Sequence, residues 1–248
     1  MNDVYAIVAS ALSQDASALR SVSQNVSNLS TPGYKREVAY QPAFGTLVAR
    51  GVTAIDTTRA MDAPGRITSS PARVFDATVG TLKKTGRALD VAIAGDGYFE
   101  VMLEDGPAYT RQGNFRIDPQ GRLVTDRGEP VMGQGGEIVL TTEAISIGTD
   151  GEVRDGDRTV GYLKLVQPGD ISHAEHIAPG VIRSAAPAES VDTAKVRLQQ
   201  GYLENANVSL ASEMVQMMQT MRHFESVQRV AQQFDDLMGN AIRKLGEA

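Results

Sequence analysis

The chain has 248 residues, a formal net charge of −6 and no cysteine. The acidic balance argues against general nucleic-acid binding, and a chain without thiols has no disulfide, cysteine nucleophile or thiolate metal site. No apolar run reaches the roughly 18 residues of a membrane span, and the first ten residues lack the Lys or Arg of a cleaved signal peptide, so we predict neither.

Residues 1–33 predict a helix, because apolar side chains recur at steps of three and four until Pro32-Gly33 ends the pattern. The apolar seam of this helix consists of Tyr5, Val8, Leu12, Leu19, Val22, Val26 and Leu29. Asp15 interrupts the seam, and the remaining positions are rich in Ser, Asn and Gln. Such a small, uncharged face lets other helices approach, so we expect burial in a lattice of neighbours. The alternative is a weakly helical, partly disordered terminus.

Residues 34–85 show no strong helical period and contain Pro42, Pro64 and Pro71. A connection of this length within a compact domain is uncommon and is usually functional. We therefore predict an extended arm that packs on neighbouring subunits or along the helices of its own chain.

Residues 86–185 predict a β-rich domain. Short apolar runs such as Leu89–Ala94 alternate with turns that contain Gly or Asp. Many short strands at regular spacing are typical of an antiparallel, all-β domain. Residues 186–207 form a return connection, and Asn205 or Asn207 can cap the helix that follows.

Residues 208–248 predict a second, longer helix. Its apolar residues recur with a mean step of about 3.5, which is the period of a coiled-coil seam, and its length is about 55 Å at roughly 1.5 Å per residue. The seam includes Leu210, Met214, Met217, Met221, Phe224 and Phe234. The N-terminal helix has a matching period. We therefore predict an α+β fold in which the two terminal helices pair as a coiled coil. The arm and the β-domain lie between these helices in the sequence.

Signals for catalysis or ligand binding are weak. His173 and His176 lack the His-Glu-x-x-His order of a metalloprotease helix. The acidic run Asp150 to Asp157 resembles a calcium loop, but its Gly and Glu are out of register. We predict no catalytic, cofactor or metal site. The alternative is a β-domain enzyme or sugar-binding module on a helical oligomerisation stalk.

Three segments of the chain carry sequence signatures in a fixed order. They are residues 25–36, residues 85–99 with 109–125, and residues 201–208 with the Met-rich helix after them. Together they resemble the signatures of bacterial flagellar rod and hook proteins. The matching positions are Asn25, Asn28, Thr31, Gly33, Tyr34, Lys35, Leu89, Asp90, Gly95, Gly97, Phe99, Leu203, Glu204, Asn207 and Val208. Departures at Arg87-Ala88, Ala206 and His223-Phe224 are local.

The resemblance implies a structural subunit of the flagellar rod, the drive shaft of the basal body, and not an enzyme. Its terminal helices would self-assemble to transmit torque, and its partners would be its own copies, neighbouring rod proteins and the flagellar type III export apparatus. It would act in the periplasmic space after export without a cleaved signal peptide. Its length leaves no room for the large insertion of a hook protein and favours a proximal rod protein. A distal rod or hook subunit is the alternative.

Overall fold

Two long helices begin and end the chain in the computed structural model, which describes residues 2–39, 73–142, 145–169, 171, 174–184, 186–191 and 196–246. Helix α1 spans Asn2–Ser27 and helix α2 spans Leu210–Gly246. Residues 40–72 of the predicted arm, and His173, lie outside the described residues. Among those that are described, no helix combines the length and the apolar character that crossing a membrane requires.

The C-terminal end of α1 is closed by a short turn. The carboxamide of Asn28 donates to the carbonyl of Gln24 at 2.8 Å, and the backbone amide of Thr31 donates to the backbone carbonyl of Asn28 at 3.0 Å. The chain then turns away through Pro32 and Gly33, whose φ is +65°. The two hydrogen bonds satisfy the carbonyls of Gln24 and Asn28, which the end of the helix leaves without intrahelical partners.

Strands before residue 104 are short. Their bounds are β1 Glu37–Ala39, β2 Arg73–Phe75, β3 Leu82–Lys84, β4 Val91–Ala94 and β5 Tyr98–Leu103. The middle of the chain contributes β6 Gly106–Thr110, β7 Arg116–Ile117, β8 Leu123–Val124, β9 Met132–Gly133, β10 Gly136–Glu137, β11 Ile145–Ile147 and β12 Glu152–Asp155. The last strands are β13 Arg158–Tyr162, β14 Leu165–Gln167, β15 Glu175–Ala178, β16 Val181–Arg183, β17 Glu189–Ser190, β18 Arg197–Gln200 and β19 Tyr202–Glu204.

The largest sheet has six strands in the order β15-β16-β6-β5-β14-β17, and β11-β12-β13 form a second sheet. Two-stranded sheets join β1 to β2, β3 to β19, β4 to β18, β7 to β8 and β9 to β10. The registers of the described pairs are antiparallel. The predicted α+β class with an antiparallel β-rich domain is confirmed.

Both faces of the six-stranded sheet are covered. Side chains alternate along a strand, so in β5 Phe99 and Val101 enter one apolar cluster while Tyr98 enters the other. The larger cluster includes Val91, Ile93, Phe99, Val101, Phe115, Leu123, Val131, Leu163 and Leu198. The smaller contains Phe75, Tyr98, Tyr109, Val166, Ala174 and Ile182.

The described residues fall into two compact units. The first, the helical unit, comprises residues 2–22 and 215–246 with 38, 39 and 73; the second, the β unit, comprises 23–37 and 74–214. The last turn of α1 and the first turn of α2 therefore belong to the β unit. Strands β1–β3 and β17–β19 lie outside the predicted range 86–185, and the predicted domain boundaries stay a prediction.

Candidate functional site

Polar side chains from distant parts of the sequence meet inside the β unit. We call this group the polar junction; it consists of Asn25, Tyr34, Lys35, Arg36, Glu37, Arg111, Glu204, Asn207 and Glu213. Seven of its members are buried, and Glu213 and Tyr34 are 0% exposed. Burying charge is costly unless each group is paired, so the contacts within the junction decide what it does.

Asn25, near the end of α1, lies at the centre of one half of the junction. Its Nδ2 donates to the Glu37 carbonyl at 2.8 Å and to Glu213 Oε2 at 3.1 Å, while its Oδ1 accepts from the Glu37 amide at 2.8 Å and the Tyr34 hydroxyl at 3.1 Å. A carboxamide has two donors and two acceptor positions, so all of its hydrogen-bonding capacity is used. Asn25 thereby joins α1, β1 and the first turn of α2.

Glu204, at the end of β19, organises the other half. Its Oε1 accepts from Lys35 Nζ at 2.8 Å and from the Gly80 amide at 2.8 Å, and its Oε2 accepts from Arg111 Nε at 2.7 Å. Lys35 also donates to the Thr78 carbonyl at 2.6 Å. One carboxylate thus holds two buried cations that lie 76 positions apart in the sequence.

The basic side chains of the junction are paired with two carboxylates. Lys35 and Arg111 contact Glu204, and Arg36 contacts Glu213. Burial lowers the pKa of the Lys35 ammonium, and its bond to Glu204 acts in the opposite direction. Each lost partner would leave an uncompensated ion in a low-dielectric interior.

Arg111 also contacts Tyr98, an aromatic residue beside the junction. Its Nη2 donates to the Gly95 carbonyl at 2.7 Å, and its guanidinium lies 5.5 Å from the centroid of the Tyr98 ring. Burial raises the pKa of the Tyr98 phenol to about 12, and the positive charge of Arg111 opposes that shift. The contact ties the junction to the six-stranded sheet.

Asn207 brings a further segment into the junction. Its Oδ1 accepts from the Arg36 amide at 2.6 Å, and its Nδ2 donates to the carbonyls of Asp76 at 2.9 Å and Thr78 at 3.0 Å. The Arg36 guanidinium in turn binds Glu213. The two predicted helix caps thus bind other segments, since the Asn205 carboxamide donates to Thr81 at 2.9 Å.

Gly33 allows its own backbone to lie directly against the backbone of Arg111 beside the junction. Its amide donates to the Glu204 carbonyl at 2.7 Å. A Cβ at this position would lie 2.3 Å from the Arg111 carbonyl carbon, and its φ of +65° favours glycine. No side chain fits there without moving the backbone.

The predicted motif residues separate into groups. Asn25, Gly33, Tyr34, Lys35, Glu204 and Asn207 meet at the junction, whereas Asn28 and Thr31 bind each other at 3.2 Å in the turn after α1. Phe99 belongs to the larger apolar cluster. The carbonyls of Leu89, Asp90 and Gly95 accept backbone or guanidinium hydrogen bonds, and Gly97 has a φ of +139°. Leu203 and Val208 are half-buried.

The predicted interface residues differ in burial. On α1, Val22 is buried and Val8, Leu12, Leu19 and Val26 are half-buried, and Leu29 is half-buried in the turn that follows the helix. On α2, Met217, Phe224 and Phe234 are half-buried, while Leu210, Met214 and Met221 are exposed by 44%, 48% and 48%. Their role as an assembly interface stays a prediction.

The two helices also contact each other within the helical unit. The Tyr5 hydroxyl donates to Asp235 Oδ1 at 2.7 Å, and the Tyr5 and Phe234 rings meet edge to face at 5.7 Å. Asp15, the polar interruption of the α1 seam, is 3% exposed, and its Oδ2 lies 2.8 Å from His223 Nδ1. Contacts at Tyr5 and Asp15 reach successively earlier positions of α2, so the helices run antiparallel here.

Sequence reasoning did not select Arg36, Glu37, Arg111 or Glu213 as site residues. A usable signal existed for Glu213, because it is the single charged residue between Val208 and Met221. An isolated charge in an apolar helix segment is usually paired when it is buried. Among the described residues, no group of His, Asp and Glu could hold a metal ion.

Comparison with known proteins accounts for most of the chain. Residues 7–35 match the family model described as flagella basal body rod protein, residues 92–154 that of the flagellar hook protein FlgE/F/G D1 domain, and residues 199–244 that of the flagellar basal body rod FlgEFG protein C-terminal region. The FlgF rod protein of Caulobacter vibrioides is 31% identical, with 91% of each chain covered. The FlgF of Rhizobium meliloti is 30% identical, over 92% of this chain and 91% of its own.

The chain belongs to the flagellar basal-body rod proteins. It is FlgF-like, although the FlgG rod protein of Bacillus subtilis is also 30% identical over 89% of this chain and 90% of its own length. It is therefore a structural rod subunit of the flagellar basal body, as the sequence signatures predicted.

The polar junction of this rod protein draws on all three matched segments. Asn25, Tyr34 and Lys35 come from the first, Arg111 from the second, and Glu204, Asn207 and Glu213 from the third. Three regions that are far apart in sequence are thus held together by one buried hydrogen-bonded network.

Proposed function

We propose that this rod subunit self-assembles through its terminal helices and that the assembled shaft transmits torque. The observation that carries the proposal is the surface of α2. Between residues 210 and 221 its exposed side chains are apolar or uncharged, with Met218 53% exposed, whereas charged side chains are exposed from Arg222 onward. Helix faces in water normally carry charge, and an apolar stripe rimmed by polar residues marks a contact surface.

The occupant of this stripe is a second rod subunit. Further copies of the chain and neighbouring rod proteins offer the complementary surface, because α1 exposes Ala and Ser at residues 9, 10, 13 and 16 and no charge among them. Burying apolar area contributes about 25 cal/mol per Å², and an uncharged partner avoids desolvating an unpaired ion. The antiparallel contacts at Tyr5 and Asp15 support pairing of α1 with α2 as a coiled coil.

Met221→Asp is expected to abolish incorporation into the rod and swimming. The added carboxylate would be buried without a partner in the assembly, yet Met221 is 48% exposed in the monomer, so the free energy of unfolding should change by less than about 0.5 kcal/mol. Basal-body purification, swimming assays and urea unfolding measure the effects. The matched control is Gln232→Asp, placed between exposed Arg229 and Asp236. Normal motility with Met221→Asp would show that this stripe faces solvent in the rod.

We propose that the arm predicted at residues 34–85 bridges subunits through its central part, because residues 34–37 and 74–85 belong to the β unit. Strands β1 and β2 pair with each other, so the segment between them leaves and returns at one place. We expect this central segment, residues 40–72, to make the contact with the neighbouring subunit.

Deletion of residues 45–70 is therefore expected to leave the β unit folded and to weaken the rod. The deletion spares Lys35, Asp76 and Gly80, which are needed at the polar junction. Circular dichroism reports the fold, and swimming with the yield of intact basal bodies reports the rod. Wild-type swimming and yield would contradict a bridging role.

The remaining assignments follow from the family. We propose export by the flagellar type III apparatus without a cleaved signal peptide, assembly in the periplasmic space, a position in the proximal rod, and no enzymatic activity. The FlgF relatives support the proximal position, and the FlgG relative keeps the distal position as the alternative. Imaging of purified basal bodies that carry a label on this protein distinguishes the two positions.

A further inference from the structure

We propose that the polar junction forms in an all-or-none manner and acts as a latch. Residues 25–37, at and after the end of α1, become ordered only when the first turn of α2 is bound in the junction. Glu213 is the last junction residue in the chain. Its carboxylate is 0% exposed and accepts from Asn25 on one oxygen and from Arg36 on the other. The proposal concerns folding of the single subunit and does not depend on the proposed mode of assembly.

A partly formed junction is less stable than an open one. Without Glu213, a buried carboxamide hydrogen of Asn25 and the guanidinium of Arg36, whose side chain is 28% exposed, lose their acceptors. Without Glu204, Lys35 and Arg111 become buried cations with no carboxylate between them. Unpaired buried polar groups cost more than solvated ones, and half-satisfied networks are unfavourable. The intermediate states are therefore depopulated, and the segments close together.

The apolar interior of the β unit does not need the latch. None of the residues in its two clusters belongs to the polar junction. The sheet around Phe99 and Val101 can therefore form while residues 25–37 and 204–213 are still open. Formation of the junction is then a separate, later event. It occurs only when residues 204–213 lie against residues 25–37.

Backbone amides at the junction provide direct reporters. The amides of Gly33, Arg36 and Glu37 donate to Glu204, Asn207 and Asn25. On the other side, the Asn205 amide donates to Thr81 and the Asn207 amide to Tyr34. Strand β5 supplies internal reference amides, because it contains no junction residue and its contact with Arg111 is made by the Tyr98 ring and not by its backbone.

Hydrogen exchange of the full chain, read by mass spectrometry, tests the latch. In Glu213→Ala we expect amides 33–37 to exchange at least tenfold faster, while those of 98–103 keep their rates. The control is Glu225→Ala, which removes an exposed carboxylate from the same helix and should change neither group. Unchanged exchange at 33–37, or equal acceleration at 98–103, would overturn the proposal.

Coupling between two sites is reciprocal, and a second variant uses that property. Asn25→Ala is expected to accelerate exchange of amides 205–207 at least tenfold, although Asn25 does not contact them directly in the described hydrogen bonds. Acceleration confined to residues 25–37 would show a local packing role and would likewise overturn the latch.

Discussion

Gly33→Ala is expected to lower the free energy of unfolding of the β unit by more than about 3 kcal/mol, which is among the large effects of single substitutions. The added methyl group would meet Arg111 and Gln112 backbone atoms at 2.3–2.7 Å, and these atoms cannot rotate away as a side chain could. Relief requires the chain to separate from Arg111, which would also break the Gly33–Glu204 backbone hydrogen bond. Urea unfolding followed by near-ultraviolet circular dichroism of tyrosine measures the loss.

Gly86→Ala is the matched control for this substitution. Gly86 has a φ of +76°, close to that of Gly33, but a Cβ there would meet nothing within 4 Å. Gly86→Ala therefore costs only the penalty for placing an alanine at a positive φ, about 1 kcal/mol. Similar losses for Gly33→Ala and Gly86→Ala would mean that close contact with Arg111 contributes nothing to stability.

Glu204→Ala is expected to destabilise the β unit by about 3 to 5 kcal/mol, the usual cost of removing one partner from a buried ion pair. The substitution leaves Lys35 and Arg111 as adjacent buried cations and removes the acceptor of the Gly80 amide. The effect should exceed that of an exposed ion pair, which is worth about 1 kcal/mol or less. Thermal and urea unfolding of the full chain measure it, and swimming reports the consequence in the rod.

A second variant separates charge from shape at Glu204, and a third serves as an exposed control. Glu204→Gln keeps the volume and one acceptor oxygen, so it should lose less than Glu204→Ala but still leave two cations without a negative charge. Glu189→Ala removes an exposed carboxylate from β17 and should be close to neutral. If Glu204→Ala were as mild as Glu189→Ala, the junction would be a consequence of folding and not a source of stability.

Much of this architecture could be predicted from the sequence because periodic burial determines it. The seams of α1 and α2 and the turn at Pro32-Gly33 indicate both helices, and short apolar runs between turns indicate the antiparallel β-domain. Strands such as β3 and β19 were not predicted, because they are three residues long and partly polar. Their pairing depends on partners more than a hundred positions away.

The polar junction could be predicted only in part. The signature residues Asn25, Lys35 and Glu204 were recognised, but hydrophobic periodicity does not indicate which charged residues become buried or how they pair. Arg111 and Glu213 lie far apart in the chain and meet the same network only after folding. The assembly surface depends on contacts between subunits, which a single chain does not contain.

The placement of ions in the polar junction has a consequence for the working conditions of the rod. Dissolved salt screens interactions between solvent-exposed charges, with a screening length of about 10 Å at 0.1 M ionic strength, and buried pairs are screened much less. Lys35, Arg111 and Glu204 are at most 4% exposed, whereas Arg229 and Glu225 form their pair in open solvent. The connection that Glu204 makes between Lys35 and Arg111 should therefore hold equally well in dilute and in saline surroundings.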